Sequence, residues 1–128
     1  IDIKPMDSIK NVKFINHDIF DQITKEKIRT FFNGKLDVIT SDMAADTTGN
    51  RSLDCIRTNQ LCAEALALSS KMLKPRGVFV SKLFMGDDFI EVKKLAKSLF
   101  KDINFFKPKS SRDESKETYL HCKILKTL

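Results

Sequence analysis

The strongest constraint on the fold is an alternation of short apolar runs with longer segments whose apolar residues follow helical spacing. The short runs predict strands at residues 12–15, 36–40, 78–84, 103–106 and 118–125. Helical spacing predicts three amphipathic helices, at residues 20–32, 61–73 and 89–99. Strands alternating with helices are typical of an α/β fold with a mostly parallel sheet and helices on both faces.

The links between these segments refine the predicted topology. Lys74–Gly77 contains a proline and a glycine, which predicts a helix stop and a turn. The polar loop 107–116 is too short for a crossover helix, so the last two strands are expected to pair antiparallel near one edge. Open parallel sheets bind ligands beyond the carboxyl ends of their strands, so the residues at those ends are the candidates for a functional site.

Composition excludes several classes of protein. The 128 residues suit one domain at most, and 41% hydrophobic residues supply a core that a disordered chain lacks. No apolar run approaches the roughly 20 residues of a membrane span, and no signal peptide is apparent. The three cysteines show no CxxC spacing, which favours buried or half-buried free thiols in a reducing compartment and no metal site.

The positive charge is concentrated in the last third of the chain. Residues 1–92 are balanced, whereas residues 93–128 hold ten Lys or Arg against four Asp or Glu and carry the whole net charge of +6. Such a region is typical of a phosphate-binding face. A solvated lysine-rich helix surface would explain it equally well.

Four charged residues are candidates for chemistry. Asp42 ends a predicted buried strand, and Lys82 lies inside an apolar one, where a charge is costly unless it is paired or lines a cleft. Alternatively, the aliphatic stem of Lys82 could be buried while its amine reaches solvent. Glu117 could be an ordinary edge-strand carboxylate, and Asp18 could be a helix N-cap.

In order and spacing, several motifs resemble the RrmJ/FtsJ family of S-adenosylmethionine-dependent ribose 2′-O-methyltransferases that act on RNA. The motifs are Ser-Asp-Met-Ala at 41–44, Val-Ser-Lys-Leu-Phe at 80–84, Lys-Pro-Lys-Ser-Ser-Arg at 107–112 and Ser-Lys-Glu-Thr-Tyr at 115–119. The opening residues 1–7 are similar to the end of the family's second strand. The resemblance extends over essentially the whole chain.

The resemblance implies a Rossmann-like methyltransferase fold, with residues 1–128 as a single partial domain. The family's first strand, its glycine-rich cofactor loop and its first catalytic lysine have no counterpart in these residues, which contain four scattered glycines. The 128 residues alone are therefore expected to be inactive. We further expect the last strand to run antiparallel between the strand of Lys82 and residues 103–106, with Asp18, Asp42 and Lys82 converging on one cleft.

The resemblance also implies roles for individual residues. Lys82 would be the general base, with Asp42 and Glu117 orienting it. S-adenosylmethionine would be held by Asp2 at its ribose, by Asp18 at its adenine, and by Asp42. RNA would be bound by a basic group comprising Lys107, Lys109, Arg112 and Lys116.

The implied reaction is methylation of a ribose 2′-hydroxyl, with a uridine of large-subunit (23S-type) ribosomal RNA as the expected target. Thr47-Thr48-Gly49 fits the ribosomal branch better than the transfer-RNA branch. The alternatives are a noncatalytic RNA-binding fragment of the same fold and a transfer-RNA ribose methyltransferase. The expected partner is ribosomal RNA or the large ribosomal subunit, and the expected state is a monomer in the bacterial cytoplasm, with the mitochondrial matrix as the alternative.

Overall fold

The structure, a computed structural model, describes residues 1–86, 88–109 and 116–126. In chain order its elements are α1 (Gln22–Phe31), β1 (Leu36–Ser41), α2 (Arg51–Met72), β2 (Leu73–Phe84), α3 (Phe89–Leu99), β3 (Phe100–Phe106) and β4 (Glu117–Leu125). The chain divides into two compact units, Ile1–Gly34 and Lys35–Leu128. In the part of the chain described, no helix is both long and apolar enough to cross a membrane.

The N-terminal unit contains one helix and no strand, so the prediction of a strand at residues 12–15 is wrong. A strand needs a neighbour that completes its backbone hydrogen-bond ladder. Here the Ile15 carbonyl accepts one backbone bond, from the N–H of Asp2 at 3.2 Å. The side-chain amide of Asn16 donates to the Asp2 carbonyl at 2.9 Å. The chain's first residues therefore lie beside residues 15–16 without forming a ladder.

The C-terminal unit is built on one mixed sheet with the strand order β1-β2-β4-β3. β1 is parallel to β2, and β4 is antiparallel to both β2 and β3. Three strands therefore share one direction, and β4 lies between two of them in the opposite direction. This confirms the predicted α/β, Rossmann-like sheet and the predicted position of the last strand.

The core of this unit lies between the sheet and its two helices, α2 and α3. It is formed by buried apolar side chains from the helices and the central strands, including Cys62, Leu66, Phe79, Leu83, Ala96, Leu120 and Cys122. Core residues recur at every second position of β2 and β4, so the intervening Val80, Lys82 and Tyr119 lie on the opposite face. Helices α2 and α3 cover one face of the sheet, as predicted. A helical cover on the other face stays a prediction.

The cysteines are free thiols, as predicted. Cys62 and Cys122 are buried in the core, and Cys55 is half-buried. Burial raises the pKa of Cys62 to about 11 and that of Cys122 to about 12. Both core thiols therefore remain protonated near neutral pH and pack as small apolar groups.

The predicted helix stop at Lys74–Gly77 is confirmed, but these residues form the start of β2 instead of a separate turn. The ladder with β1 passes from the pair Leu36 and Leu73 to the pair Val38 and Val78, so residues 74–77 bulge between them. A Cβ added at Gly77 would lie 3.1 Å from the Asp37 carbonyl oxygen. Glycine therefore permits the close approach of the two strands.

Asn59 connects α2 to the end of β2. Its side chain is fully buried, and its amide nitrogen donates to the Phe84 carbonyl at 2.9 Å and to the Asp88 carboxylate at 2.8 Å. Its amide oxygen accepts the Phe84 N–H at 2.8 Å. Because Asp88 is the N-cap residue of α3, one side chain holds the end of a central strand and the start of the next helix.

We predict that Asn59→Ala lowers the free energy of unfolding by about 3 kcal/mol, because it removes the acceptor of the Phe84 N–H and creates a cavity. Urea unfolding followed by circular dichroism measures the loss. The control is Asn104→Ala, which removes an exposed asparagine whose amide donates to Asp102 at 3.0 Å. Its expected loss is below about 0.5 kcal/mol. Equal losses in the two variants would contradict the role of Asn59 in holding the end of β2 and the start of α3.

Candidate active site

Lys82 lies near the carboxyl end of β2, on the face of the sheet opposite α2 and α3. Its side chain is 15% exposed. The amine Nζ lies 3.3 Å from Oδ1 of Asp42 and 3.7 Å from Oε2 of Glu117. The cost of desolvating an ammonium group is thus offset by two carboxylates, and the structure favours a paired, cleft-type lysine over a simple solvent-reaching one.

The two carboxylates reach Lys82 through the sheet topology. Asp42 directly follows β1, whose last residue Ser41 pairs with Ser81, so it lies level with Lys82 on the neighbouring strand. Glu117 begins β4 and pairs with Phe84 across the antiparallel ladder. Of the three residues predicted to converge, Asp42 and Lys82 lie together at neighbouring strand ends, as expected, and Glu117 joins them. Asp18 belongs to the N-terminal unit and follows no strand, so the prediction that it ends a neighbouring strand is wrong. Asp42 remains 72% exposed and Glu117 30% exposed, so the cluster is open to solvent on one side.

Tyr119 is a member of the cluster that the sequence did not predict. Its hydroxyl donates a hydrogen bond to Oδ1 of Asp42 at 2.9 Å, the same oxygen that faces Lys82. Tyr119 pairs directly with Lys82 in the ladder, and it lies two residues after Glu117. Residues two apart in a strand share a face. The Glu-Thr-Tyr spacing could therefore have indicated that Tyr119 lies on the same face as Glu117.

The environment of Tyr119 keeps its phenol protonated. Burial raises its pKa, and its hydrogen bond to Asp42 and the negative charges of Asp42 and Glu117 raise it further, to about 12. The hydroxyl therefore remains a hydrogen-bond donor to Asp42 well above neutral pH. This bond fixes the Asp42 carboxylate beside the lysine.

Hydrogen bonds within the N-terminal unit fix both of its predicted cofactor residues, Asp2 and Asp18. Asp2 is held beside residues 15–16 by the two hydrogen bonds described above, and its Oδ1 accepts the Lys4 N–H at 3.0 Å. Asp18 lies two residues further along, and its Oδ1 accepts the Phe20 N–H at 3.0 Å. The alternative role of Asp18 as a helix N-cap is wrong, because Asp21 occupies that position of α1.

The basic residues flank the same end of the sheet. Lys107 and Lys109 follow the end of β3, and Lys116 precedes β4. The Lys116 carbonyl accepts the N–H of Met85 at 2.9 Å, so it lies at the end of β2 as well. Arg112, the fourth predicted RNA contact, lies outside the described residues. Among the residues described, no group of three or more His, Cys, Asp or Glu could hold a metal ion.

Comparison with known sequences identifies relatives along nearly the whole chain. A family model described as FtsJ-like methyltransferase matches residues 1–125. The chain is 48% identical over 126 residues to ribosomal RNA large subunit methyltransferase E of Pelagibacter ubique, covering 98% of this chain and 62% of that protein. It is 42% identical over 120 residues to the protein of the same name from Rickettsia akari, covering 94% and 53%. The chain thus spans less than two thirds of the length of these curated relatives.

Solved structures agree with the fold. A crystal structure of a protein described as a ribosomal RNA methyltransferase, from Plasmodium falciparum, matches with a TM-score of 0.81 and 27% identity, covering 96% of this chain and 69% of that one. A methyltransferase-like structure from Streptococcus mutans, in complex with SAH, matches with a TM-score of 0.57 and 12% identity, covering 97% and 68%. At that identity the second likeness concerns the fold alone.

We predict that the Tyr119 phenol titrates with a midpoint near pH 12 in the folded protein, compared with 10.0 for an unperturbed tyrosine. Because its folded-state pKa is raised, the protonated phenol contributes stability fully below about pH 10, and this is lost as the pH rises through 12. The chain has one tyrosine and no tryptophan, so tyrosinate absorbance reports this residue directly.

Asp42→Asn is the matched variant for this titration. It removes one of the negative charges that raise the pKa of Tyr119, so the midpoint is expected to fall toward 10 while the fold persists. Circular dichroism at each pH confirms that the protein is folded. A midpoint of about 10 in the folded parent protein would contradict the geometry of this cluster.

Proposed function

The chain belongs to the FtsJ-like methyltransferase family, and on that premise we propose that it methylates a ribose 2′-hydroxyl of RNA, with S-adenosylmethionine as methyl donor. The observation that carries the proposal is the largely buried Lys82 amine, with Asp42 at 3.3 Å and Glu117 at 3.7 Å at the carboxyl end of the sheet. Strand ends of this kind are where α/β folds bind their ligands.

The chemistry requires alignment and removal of a proton. A ribose hydroxyl is a weak nucleophile, so it must be held in line with the electrophile and relieved of its proton as the new bond forms. S-adenosylmethionine supplies an electrophilic methyl group on its sulfonium when it is bound. The Lys82 amine accepts the hydroxyl proton in its neutral form, and Asp42 and Glu117 orient that amine. Tyr119 holds Asp42 in place through its hydroxyl.

A general base at position 82 must take up a proton during the reaction, whereas a fixed positive charge need not. A substitution that keeps the positive charge but cannot lose its proton, such as Lys82→Arg, therefore distinguishes these two roles.

The carboxylates of the N-terminal unit suit the cofactor. Adenine and ribose present amine and hydroxyl donors, which carboxylate oxygens accept. Asp2 and Asp18 each use one oxygen on a local backbone N–H, and a carboxylate has about four acceptor sites. We propose Asp2 for the cofactor ribose, Asp18 for the adenine, and Asp42 for the methionine end.

The proposed substrate is large-subunit ribosomal RNA, with a uridine as the target. Relatives that are 40% or more identical are named ribosomal RNA large subunit methyltransferase E. Lys107, Lys109, Arg112 and Lys116 would contact phosphates, which position RNA without reading its bases. A cytoplasmic, monomeric protein acting as a single methyltransferase domain fits this substrate.

We predict that Lys82→Ala lowers single-turnover methyl transfer to ribosomal RNA by roughly 10²-fold or more in the full-length protein, because it removes the general base. Cofactor affinity, measured separately by calorimetry, is expected to change little. Lys82→Arg is expected to fail as well, since a guanidinium does not give up its proton near neutral pH. Asp42→Ala is expected to weaken both cofactor binding and turnover.

The control is Lys74→Ala, which removes a lysine from the other end of the same strand, where it pairs with Asp37 at 2.8 Å. Its turnover is expected to remain normal. Near-normal turnover in Lys82→Arg would show that position 82 supplies charge, and near-normal turnover in Lys82→Ala would remove it from the reaction. RNA binding without methyl transfer by the full-length parent protein would instead support a noncatalytic RNA-binding module.

A further inference from the structure

One aromatic side chain beside the active site is not accounted for by the core or by the proposed reaction. Phe106 ends β3 and is 50% exposed. Its ring stacks on Tyr119, with ring centroids 5.8 Å apart and an interplanar angle of 27°. Its neighbour Phe105, in contrast, packs against the core and contacts Phe89. Phe106 therefore presents an open aromatic ring on the face of the sheet that carries Lys82.

The strand register places this ring in line with the catalytic cluster. Tyr119 pairs directly with Lys82 on one side and with Phe106 on the other. Directly opposed residues of antiparallel strands share a face, so Lys82, Tyr119 and Phe106 form one row across three strands. Two strand spacings separate Lys82 from Phe106, a distance of about 10 Å. That distance is within the reach of nucleotides whose ribose lies at Lys82.

The charge of the residues that follow Phe106 in the sequence indicates which kind of partner would cover it. An isolated exposed apolar residue is common on protein surfaces, but this one is followed immediately by residues 107–116, which hold four basic and two acidic side chains. Lysines beside an aromatic platform suit a polyanion that carries flat bases. An apolar protein surface would not complement this positive charge.

We propose that Phe106 is a base-stacking residue, which holds a nucleobase of the RNA segment whose ribose is presented to Lys82. One face of its ring rests on Tyr119, and the other receives the base. Aromatic rings stack on any base, so this contact positions the RNA without selecting its sequence. The inference rests on the proposed function and adds a binding residue to it.

The first test is the kinetics of Phe106→Ala and Phe106→Tyr in the full-length protein. Loss of one base–aromatic stack is expected to raise the KM for ribosomal RNA about tenfold in Phe106→Ala, with kcat at saturating RNA nearly unchanged. Phe106→Tyr keeps an aromatic ring and is expected to restore the KM. If kcat falls while the KM is unchanged, Phe106 only supports Tyr119 and the proposal is wrong.

The second test observes stacking without turnover. The 128 residues contain no tryptophan, so the extra fluorescence of Phe106→Trp over the parent protein reports this position. A short single-stranded RNA is expected to quench it, and an abasic ribose-phosphate oligomer of the same length is not. The control is Ile124→Trp, at a position that is 46% exposed near the other end of β4, where neither probe is expected to quench.

The two tests separate this inference from the proposed function. Equal quenching by the RNA and the abasic oligomer, or none by either, would overturn base stacking even if the parent protein methylates RNA. Quenching by RNA in the doubly substituted protein, with Phe106→Trp and Lys82→Ala, would support stacking whether or not methyl transfer is detected. Absence of methyl transfer by the parent protein would count against the proposed function alone.

Discussion

The antiparallel pairing of β4 with β2 is the constraint on which the candidate site depends. It sets Tyr119 opposite Lys82 and Glu117 opposite Phe84, while the parallel pairing of β1 with β2 brings Asp42 level with Lys82. The pleat alternates with a period of two, so a slip of one residue would turn Tyr119 toward the helices and an apolar core residue toward solvent. The apolar residues on the buried face of β2 and β4 therefore fix the register, and with it the arrangement of the polar residues on the other face.

Burial separates the Lys82 cluster from an ordinary surface ion pair. Lys74 and Asp37 also form a close pair, at 2.8 Å, but both are exposed and such pairs contribute about 0–1 kcal/mol. Lys82 is largely buried, so its amine depends on Asp42 and Glu117, and Asp42 is in turn fixed by the Tyr119 hydroxyl. Asn59 holds the end of β2 two residues further on. The end of β2 therefore carries the site lysine and is itself stabilised by Asn59.

Much of the fold was predictable because the periodicity of apolar residues reports which faces are buried. The helices and the four strands of the sheet follow from that pattern, and Lys82 was identifiable as a charge inside an apolar strand. The strand at residues 12–15 was wrongly predicted because apolar character does not supply a hydrogen-bonding neighbour. Residues 74–77, which were predicted to form a turn, belong to β2 because β1 pairs with β2 on both sides of the bulge.

The sequence by itself determined the alternation of elements, the direction of the last strand and the identity of the charged residues at the strand ends. These are local properties, set by burial patterns and loop length. The tertiary structure alone decided that Tyr119 donates to Asp42 and that Phe106 stacks on Tyr119 in the same row as Lys82. Those contacts depend on the register between strands distant in sequence, and register is fixed by the packing of the whole sheet against its helices.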